Sequence, residues 1–266
     1  MTGPFACTDI FFSFAKQPEV DCIRKKGDLP GYELYVKLDE YFQHMCQGIL
    51  LASPEQEPEL VTYVVSTFQR YTERAFIVQR MTNYINQHFV RRAFNEELGW
   101  LNVKDALTAY ASQTGDKLAG GPDQRTIAQM KADSAILELK KWGYKDGDSK
   151  ANAAAEARAE AASSLDRIVP ISSLAHRRFR TEVLVPLLSY NNSIRPKNKM
   201  KSLTAHSLNQ PKGRLAWAIQ NLLVSTSIPD FRQILVALDS TLSSTGVRPS
   251  THVRKWLHHL LSVTGA

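Results

Sequence analysis

Apolar residues recur every three or four positions along most of this chain, a spacing that places them on one side of an α-helix. This periodicity constrains the fold more than any other feature. Few signals favour strands, because no Asn-Gly or Asp-Gly turn separates alternating apolar segments. We therefore predict an all-α protein. The clearest apolar set, which predicts a helix of about five turns, consists of Leu34, Leu38, Tyr41, Phe42, Met45, Ile49 and Leu50.

Further apolar sets predict more helices along the chain. Residues 60–71 and 75–89 form two such sets, which belong either to one continuous helix or to two. Another set covers residues 171–188, and the last quarter of the chain holds two more, at 231–242 and 253–261.

Residues 151–164 have a different composition, with many alanines and no large apolar side chain. Alanine has the highest helix propensity, but a helix without an apolar face has little to bury. We expect an exposed and partly formed helix in this segment.

Positive charge is concentrated in one part of the chain. The net charge is +7, yet the segment 167–214 holds ten Lys and Arg residues and one acidic residue, Glu182. Arg177, Arg178 and Arg180 fall within the predicted helix 171–188, where they are expected on its exposed face. Residues 189–213 are polar, basic and contain proline, which favours a flexible loop.

The basic segment supports an alternative function, a helical nucleic-acid-binding protein that uses residues 177–214. Flexible basic side chains can neutralise phosphates, and the candidates here are Arg195, Lys197, Lys199 and Lys201. The simpler interpretation is a solvated loop, since the aromatic side chains of a single-strand binder are missing from this segment.

No catalytic, metal or cofactor motif is found in the sequence. The three cysteines are too widely spaced for a disulfide framework or a paired-thiolate zinc site, and the seven histidines are scattered. No run of about 18 apolar residues could span a membrane. We expect an intracellular protein, cytoplasmic or nuclear, that is not an enzyme and binds no cofactor, no metal and no membrane.

Three stretches together resemble the amino-terminal region of cullins. The second is the most specific, since Tyr84, an aliphatic residue, a short polar residue and the later Phe89-Val90 pair are similar to the last helix of the first five-helix cullin repeat. Gln87 stands where that family usually has a basic residue. The stretches are GYELYVKLDEYF at 31–42, YINQHFVRR at 84–92 and ISSLAHRRFRTEVLVPL at 171–187.

The resemblance implies a scaffold of a multisubunit ubiquitin ligase. Cullins bind a substrate adaptor, of the F-box-adaptor or BTB type, through this amino-terminal region, and the F-box-adaptor type is favoured here. Nothing in residues 1–266 resembles the RING-binding region, so no RING partner is expected for this segment. Carried over by motif, the adaptor-binding residues are Tyr84, Asn86, Gln87, Phe89, Arg91 and Arg92, with Phe11 and Phe12 near the start of the chain.

The resemblance also implies a division of the chain into three parts. Residues 1–112 correspond to a first cullin-repeat-like bundle that lacks its first helix. Residues 113–167 are expected to be a partly helical insertion. Residues 168–266 continue the helical array or begin a second repeat, and they include the basic loop 189–213.

Overall fold

The computed structural model describes residues 31–95, 98–101, 127–189 and 213–264. Within these residues it contains nine helices and no strand, which confirms the all-α prediction. The helices are α1 (Tyr32–Leu51), α2 (Glu57–Met81), α3 (83–95), α4 (Ile127–Lys140), α5 (Ser149–Ala162), α6 (171–188), α7 (Arg214–Ser225), α8 (Ile228–Ser244) and α9 (His252–Val263).

The first predicted helix is confirmed as α1, and α2 resolves the alternative left open for residues 60–89. It runs without a break to Met81, so the second apolar set and part of the third share one helix. The helix ends at Thr82, whose N–H still bonds to the Val78 carbonyl oxygen at 2.9 Å but whose φ of −110° and ψ of 19° are not helical, and α3 follows at once. A π-helical turn, Asn86–Val90, lies in the middle of α3.

Helix α6 lies at the centre of the bundle and packs against α1, α2 and α5. The ring of Phe179 is fully buried, 4.9 Å from the ring of Phe68 and 5.4 Å from that of Tyr71. The Tyr71 hydroxyl donates to the Ala175 carbonyl oxygen at 2.9 Å. Helices α7 and α8 pack against α2, and α9 packs against α8, so a single apolar cluster extends through most of the helices.

The last quarter of the chain contains three helices where two were predicted. The additional helix, α7, buries Leu215, Ile219 and Leu222, which follow the spacing of four and three expected for a helix. The Arg214 side chain at its start donates to the Ser53 hydroxyl at 3.0 Å and to the Pro54 carbonyl oxygen. These bonds connect the start of α7 to the loop between α1 and α2.

The expectation of an exposed, partly formed helix at 151–164 is wrong. Helix α5 is complete, and it buries Ala155, Ala159, Glu160 and Ala161. It packs against α6 and α8, both of which lie beyond the predicted boundary at residue 167. Small side chains permit this burial, because they let neighbouring helices approach closely without a stripe of large apolar residues.

Candidate adaptor-docking surface

Helix α3 has two faces of different character. One face is buried in the bundle through Ile85, Phe89, Val90 and Ala93. The opposite face is exposed and carries four of the eight residues that the resemblance implies for adaptor binding. We define the α3 outer face as Tyr84, Gln87, His88, Arg91 and Arg92.

Phe89 belongs to the core and does not face outward, which corrects its assignment as an adaptor-binding residue. Its side chain is 1% exposed, and its ring lies 5.2 Å from that of Tyr35. Gly31 packs against it with φ of +99°, and a Cβ atom at Gly31 would lie 3.1 Å from the Phe89 Cβ. Phe89 therefore holds α3 against α1.

Asn86 also acts inside the protein. Its Oδ1 accepts a hydrogen bond from the backbone N–H of Ile171 at 3.0 Å. Ile171 is the first residue of α6, and N–H groups in the first turn of a helix have no acceptor within that helix. Asn86 thus connects α3 to the start of α6 instead of presenting its amide to a partner.

Tyr84 is the most exposed aromatic residue on the α3 outer face, at 70%. Its ring lies 4.2 Å from the ring of His88, one helical turn further on. Sequence analysis did not select His88, although its spacing of four from Tyr84 places the two side chains side by side on a helix. The pair forms an aromatic platform next to Gln87, Arg91 and Arg92.

The structure brings the three cullin-like stretches together. Tyr35 from the first stretch contacts Phe89 from the second, and its hydroxyl donates to the Val169 carbonyl oxygen at 3.0 Å, two residues before the third stretch begins. Asn86 bonds directly to Ile171, the first residue of the third. Residues distant in sequence thus meet beside Asn86 and Phe89 of α3.

The two remaining adaptor-binding candidates, Phe11 and Phe12, lie outside the described residues.

The basic residues of α6 are not available for nucleic acid. Arg177 is 1% exposed, and its Nη1 donates to the carbonyl oxygens of Ser164 and Arg167, both at 2.7 Å. Burial lowers the pKa of this guanidinium group. Arg180 is partly buried and donates to the Ser163 carbonyl oxygen at 3.1 Å. The expectation of an exposed basic face is therefore wrong for α6.

Arg178 is also buried, within an ion pair network. Its Nε donates to Asp39 Oδ1 at 2.6 Å, a second bond joins Nη2 to Asp39 Oδ2, and Nη1 donates to Glu182 at 3.2 Å. Two parallel bonds between guanidinium and carboxylate fix orientation as well as charge. This pair attaches α6 to α1. The remaining nucleic-acid candidates, Arg195, Lys197, Lys199 and Lys201, lie outside the described residues.

Other reactive groups give no further site in the part of the chain that the structure describes. Cys46 is buried, and burial raises the pKa of its thiol to about 12, so the reactive thiolate is scarce at neutral pH. No cluster of three or more His, Cys, Asp or Glu residues in this part could hold a metal ion. None of its helices is both long enough and apolar enough to cross a membrane.

Comparison of the chain with models of protein families, with curated proteins and with solved structures found no match. The cullin resemblance of the three stretches stays a prediction from their residues.

Proposed function

We propose that this chain is a cullin-like scaffold of a multisubunit ubiquitin ligase, acting in the cytoplasm or the nucleus. In this proposal the α3 outer face binds a substrate adaptor, with the F-box-adaptor type favoured over the BTB type. One observation carries the proposal. The three cullin-like stretches meet around Tyr35, Phe89 and Ile171, and this contact leaves Tyr84 exposed on the opposite side of α3.

The α3 outer face has properties that suit protein binding. Tyrosine buries a large area at a small cost in side-chain entropy, and arginine and tyrosine are enriched among residues that dominate binding energy. The buried Phe89 and the Asn86 bond to Ile171 hold the backbone of α3 in place. A partner that binds this face therefore loses little free energy in ordering it.

The described residues give the nucleic-acid alternative less support. Arg177, Arg178 and Arg214 from the basic segment are all engaged with acceptors inside the protein. Their positive charges contribute to holding α6 and α7 in place and are not directed to a phosphate backbone.

The direct test is a binding measurement with the purified full chain and one purified adaptor of each type. We expect one type to bind, and Tyr84→Ala to weaken its affinity by about tenfold or more, as expected for a dominant contact. Binding to neither adaptor type would reject the proposal.

Leu51→Ser provides a control for loss of an exposed apolar side chain elsewhere. Leu51 is 87% exposed, and it lies at the opposite end of α1 from Tyr35, the residue that contacts α3 through Phe89. The sixteen helical steps from Tyr35 to Leu51 correspond to a distance of about 24 Å. We expect this substitution to leave adaptor affinity unchanged.

A further inference from the structure

Large apolar side chains are exposed next to the α3 outer face, on the last turns of α2. Phe76, Ile77 and Met81 are 58%, 52% and 51% exposed, and Tyr84 follows just after the break at Thr82. Single exposed apolar residues are common on proteins, but a contiguous group marks a surface for interaction. The exposed group here lies within nine residues of sequence.

The burial pattern continues from α2 into α3, which indicates that these side chains share one side of the molecule. On the buried side, Ala75 and Val78 of α2 are followed by Ile85 and Phe89 of α3. Because the buried stripe keeps its direction across Thr82, the exposed stripe opposite it does as well.

We call this exposed surface the α2–α3 stripe. It extends the α3 outer face towards the middle of α2, and its members follow one another at the spacings of a helical face. They are Phe76, Ile77, Arg80, Met81, Tyr84, His88 and Arg91.

The charge of the stripe has one sign. Residues 74–95 contain four arginines and neither Asp nor Glu, and the exposed Glu73 lies one helical turn before Phe76 and Ile77, where the stripe ends. The Arg80 guanidinium carbon lies 6.0 Å from the centre of the Phe76 ring, so positive charge borders the apolar surface directly. A complementary surface must combine apolar side chains with carboxylates.

We propose that the α2–α3 stripe binds an acidic protein surface. Apolar side chains of the partner cover Phe76, Ile77 and Met81, and its carboxylates pair with Arg80 and Arg91. This inference rests on the proposed function and extends it: the adaptor contacts the last two turns of α2 as well as α3, and it is acidic where it does so.

The composition of the stripe favours a protein partner over nucleic acid. Phosphate binding depends on cations and requires no apolar cover. Here Phe76, Ile77 and Met81 would stay exposed against a phosphate backbone. An apolar centre with a charged border is instead typical of a protein interface.

The test measures association and dissociation of the full chain with the adaptor that binds it. We expect the double variant Phe76→Ser/Met81→Ser to bind about tenfold or more weakly, mainly through faster dissociation. Arg80→Glu should slow association at low salt, and the difference from wild type should largely vanish at about 0.5 M NaCl. Leu51→Ser again serves as the control, and circular dichroism establishes that each variant is helical.

The outcomes separate this inference from the proposed function. If Tyr84→Ala weakens binding and Phe76→Ser/Met81→Ser does not, the interface ends on α3; the inference is then overturned while the proposed function stands. If wild type binds neither adaptor type, both fail. If Arg80→Glu instead abolishes salt-sensitive binding to a short DNA duplex, the partner is nucleic acid and the inference is overturned.

Discussion

Two regions of this molecule are held together by different kinds of contact. Around α6, large rings pack against one another, with Phe42, Phe68, Tyr71 and Phe179 all buried. Helix α5 contributes mainly alanine to its buried side. The difference shows that α5 itself brings no large apolar side chain to its buried side, where Trp142 packs against Ala155 and Ala159.

Polar contacts, several of them to backbone carbonyl oxygens, also attach α5 to its neighbours. Arg177 and Arg180 of α6 donate to carbonyl oxygens of the loop that follows α5, residues 163–167. The Ser173 hydroxyl donates to the Glu160 carboxylate at 2.6 Å. Hydrogen bonds between buried groups are specific but contribute less net stability than a filled apolar core.

The outer side of α5 is less completely filled. A pocket of about 420 Å³ that opens to solvent lies between α4, α5 and the segment 98–101, with Trp100 and Trp142 in its lining. The Ser134 hydroxyl in the same lining is buried, and it has no hydrogen-bond partner among the described residues. Regions with few buried apolar contacts open at a lower free energy than a dense core, and the apolar cluster at α5 is small. We therefore expect α5 to open before α1 and α6.

The largest expected effect comes from breaking the aromatic core. Phe179→Ala removes a fully buried ring from between Phe68 and Tyr71. We expect the free energy of unfolding to fall by about 4 kcal/mol. Urea denaturation followed by circular dichroism measures this change. Phe76→Ala, the same substitution on an exposed ring, should change stability by less than about 0.5 kcal/mol.

Replacing Arg177 should weaken the hydrogen bonds that hold α5 against α6. Arg177→Ala leaves the carbonyl oxygens of Ser164 and Arg167 without this donor, and we expect a loss of about 3 kcal/mol. Hydrogen exchange should show the loss of protection mainly in α5, while α1 keeps its protection. An equal loss in both helices would contradict the separation of the two regions.

Arg177→Lys should recover only part of that loss. An ammonium group lacks the planar fork of donors that a guanidinium group offers. Arg74→Ala is the matched control, because Arg74 is exposed on α2. We expect this substitution to have little effect on exchange in either region.

Sequence patterns predicted the first of these regions better than the second. Helices α1 and α6 were predicted because large apolar residues at spacings of three and four must be buried together. The burial of α5 was missed because alanine carries no such signal, and α7 was missed because its apolar residues directly follow a basic segment. Spacing also cannot distinguish a solvated arginine from Arg177, whose acceptors lie in a loop ten or more residues away.

The candidate site was predicted only in part, for a related reason. The motif identified α3, and the structure exposes Tyr84, Gln87, Arg91 and Arg92. A motif does not distinguish residues that contact a partner from those that hold the helix in place. Phe89 and Asn86 belong to the second kind, and only their contacts with Tyr35 and Ile171 reveal it.

Helix α5 closely approaches the end of α8 at Gly246, and a substitution there tests this contact. Gly246 has φ of +80°, and a Cβ there would lie 2.7 Å from the Ala161 carbonyl carbon and 2.8 Å from the Ala162 Cα. Gly246→Ala must therefore displace backbone, and we expect a loss of about 2 kcal/mol or more. Gly147 has φ of +82° with no atom within 4 Å of such a Cβ. Gly147→Ala carries only the conformational cost of about 1 kcal/mol. Equal losses in denaturation experiments would show that the approach is loose.

The smallest expected effect concerns Glu160, the buried carboxyl of α5. Burial raises its pKa to about 7, and the bond from Ser173 offsets part of this rise. The pKa of His176 on α6 is shifted in the opposite direction, because burial of its imidazole lowers it. The charged and titratable groups around this junction include Glu156, His176, Arg177, Arg180 and Arg248, with Arg158 on α5 itself and Arg178 and Glu182 on α6.

Because the folded-state pKa of Glu160 lies above its unfolded value, its contribution to stability is complete below pH of about 4.5 and is lost as pH rises through about 7. Glu160→Gln keeps an acceptor for Ser173 but cannot ionise. Relative to this variant, wild type should lose about 1 kcal/mol over that range, since local opening of α5 limits the loss. Denaturation of both proteins at each pH measures the difference, and His176 contributes equally to both. A constant difference between wild type and Glu160→Gln would mean that the pKa of Glu160 is the same in the folded and the unfolded protein, against the rise that its burial implies.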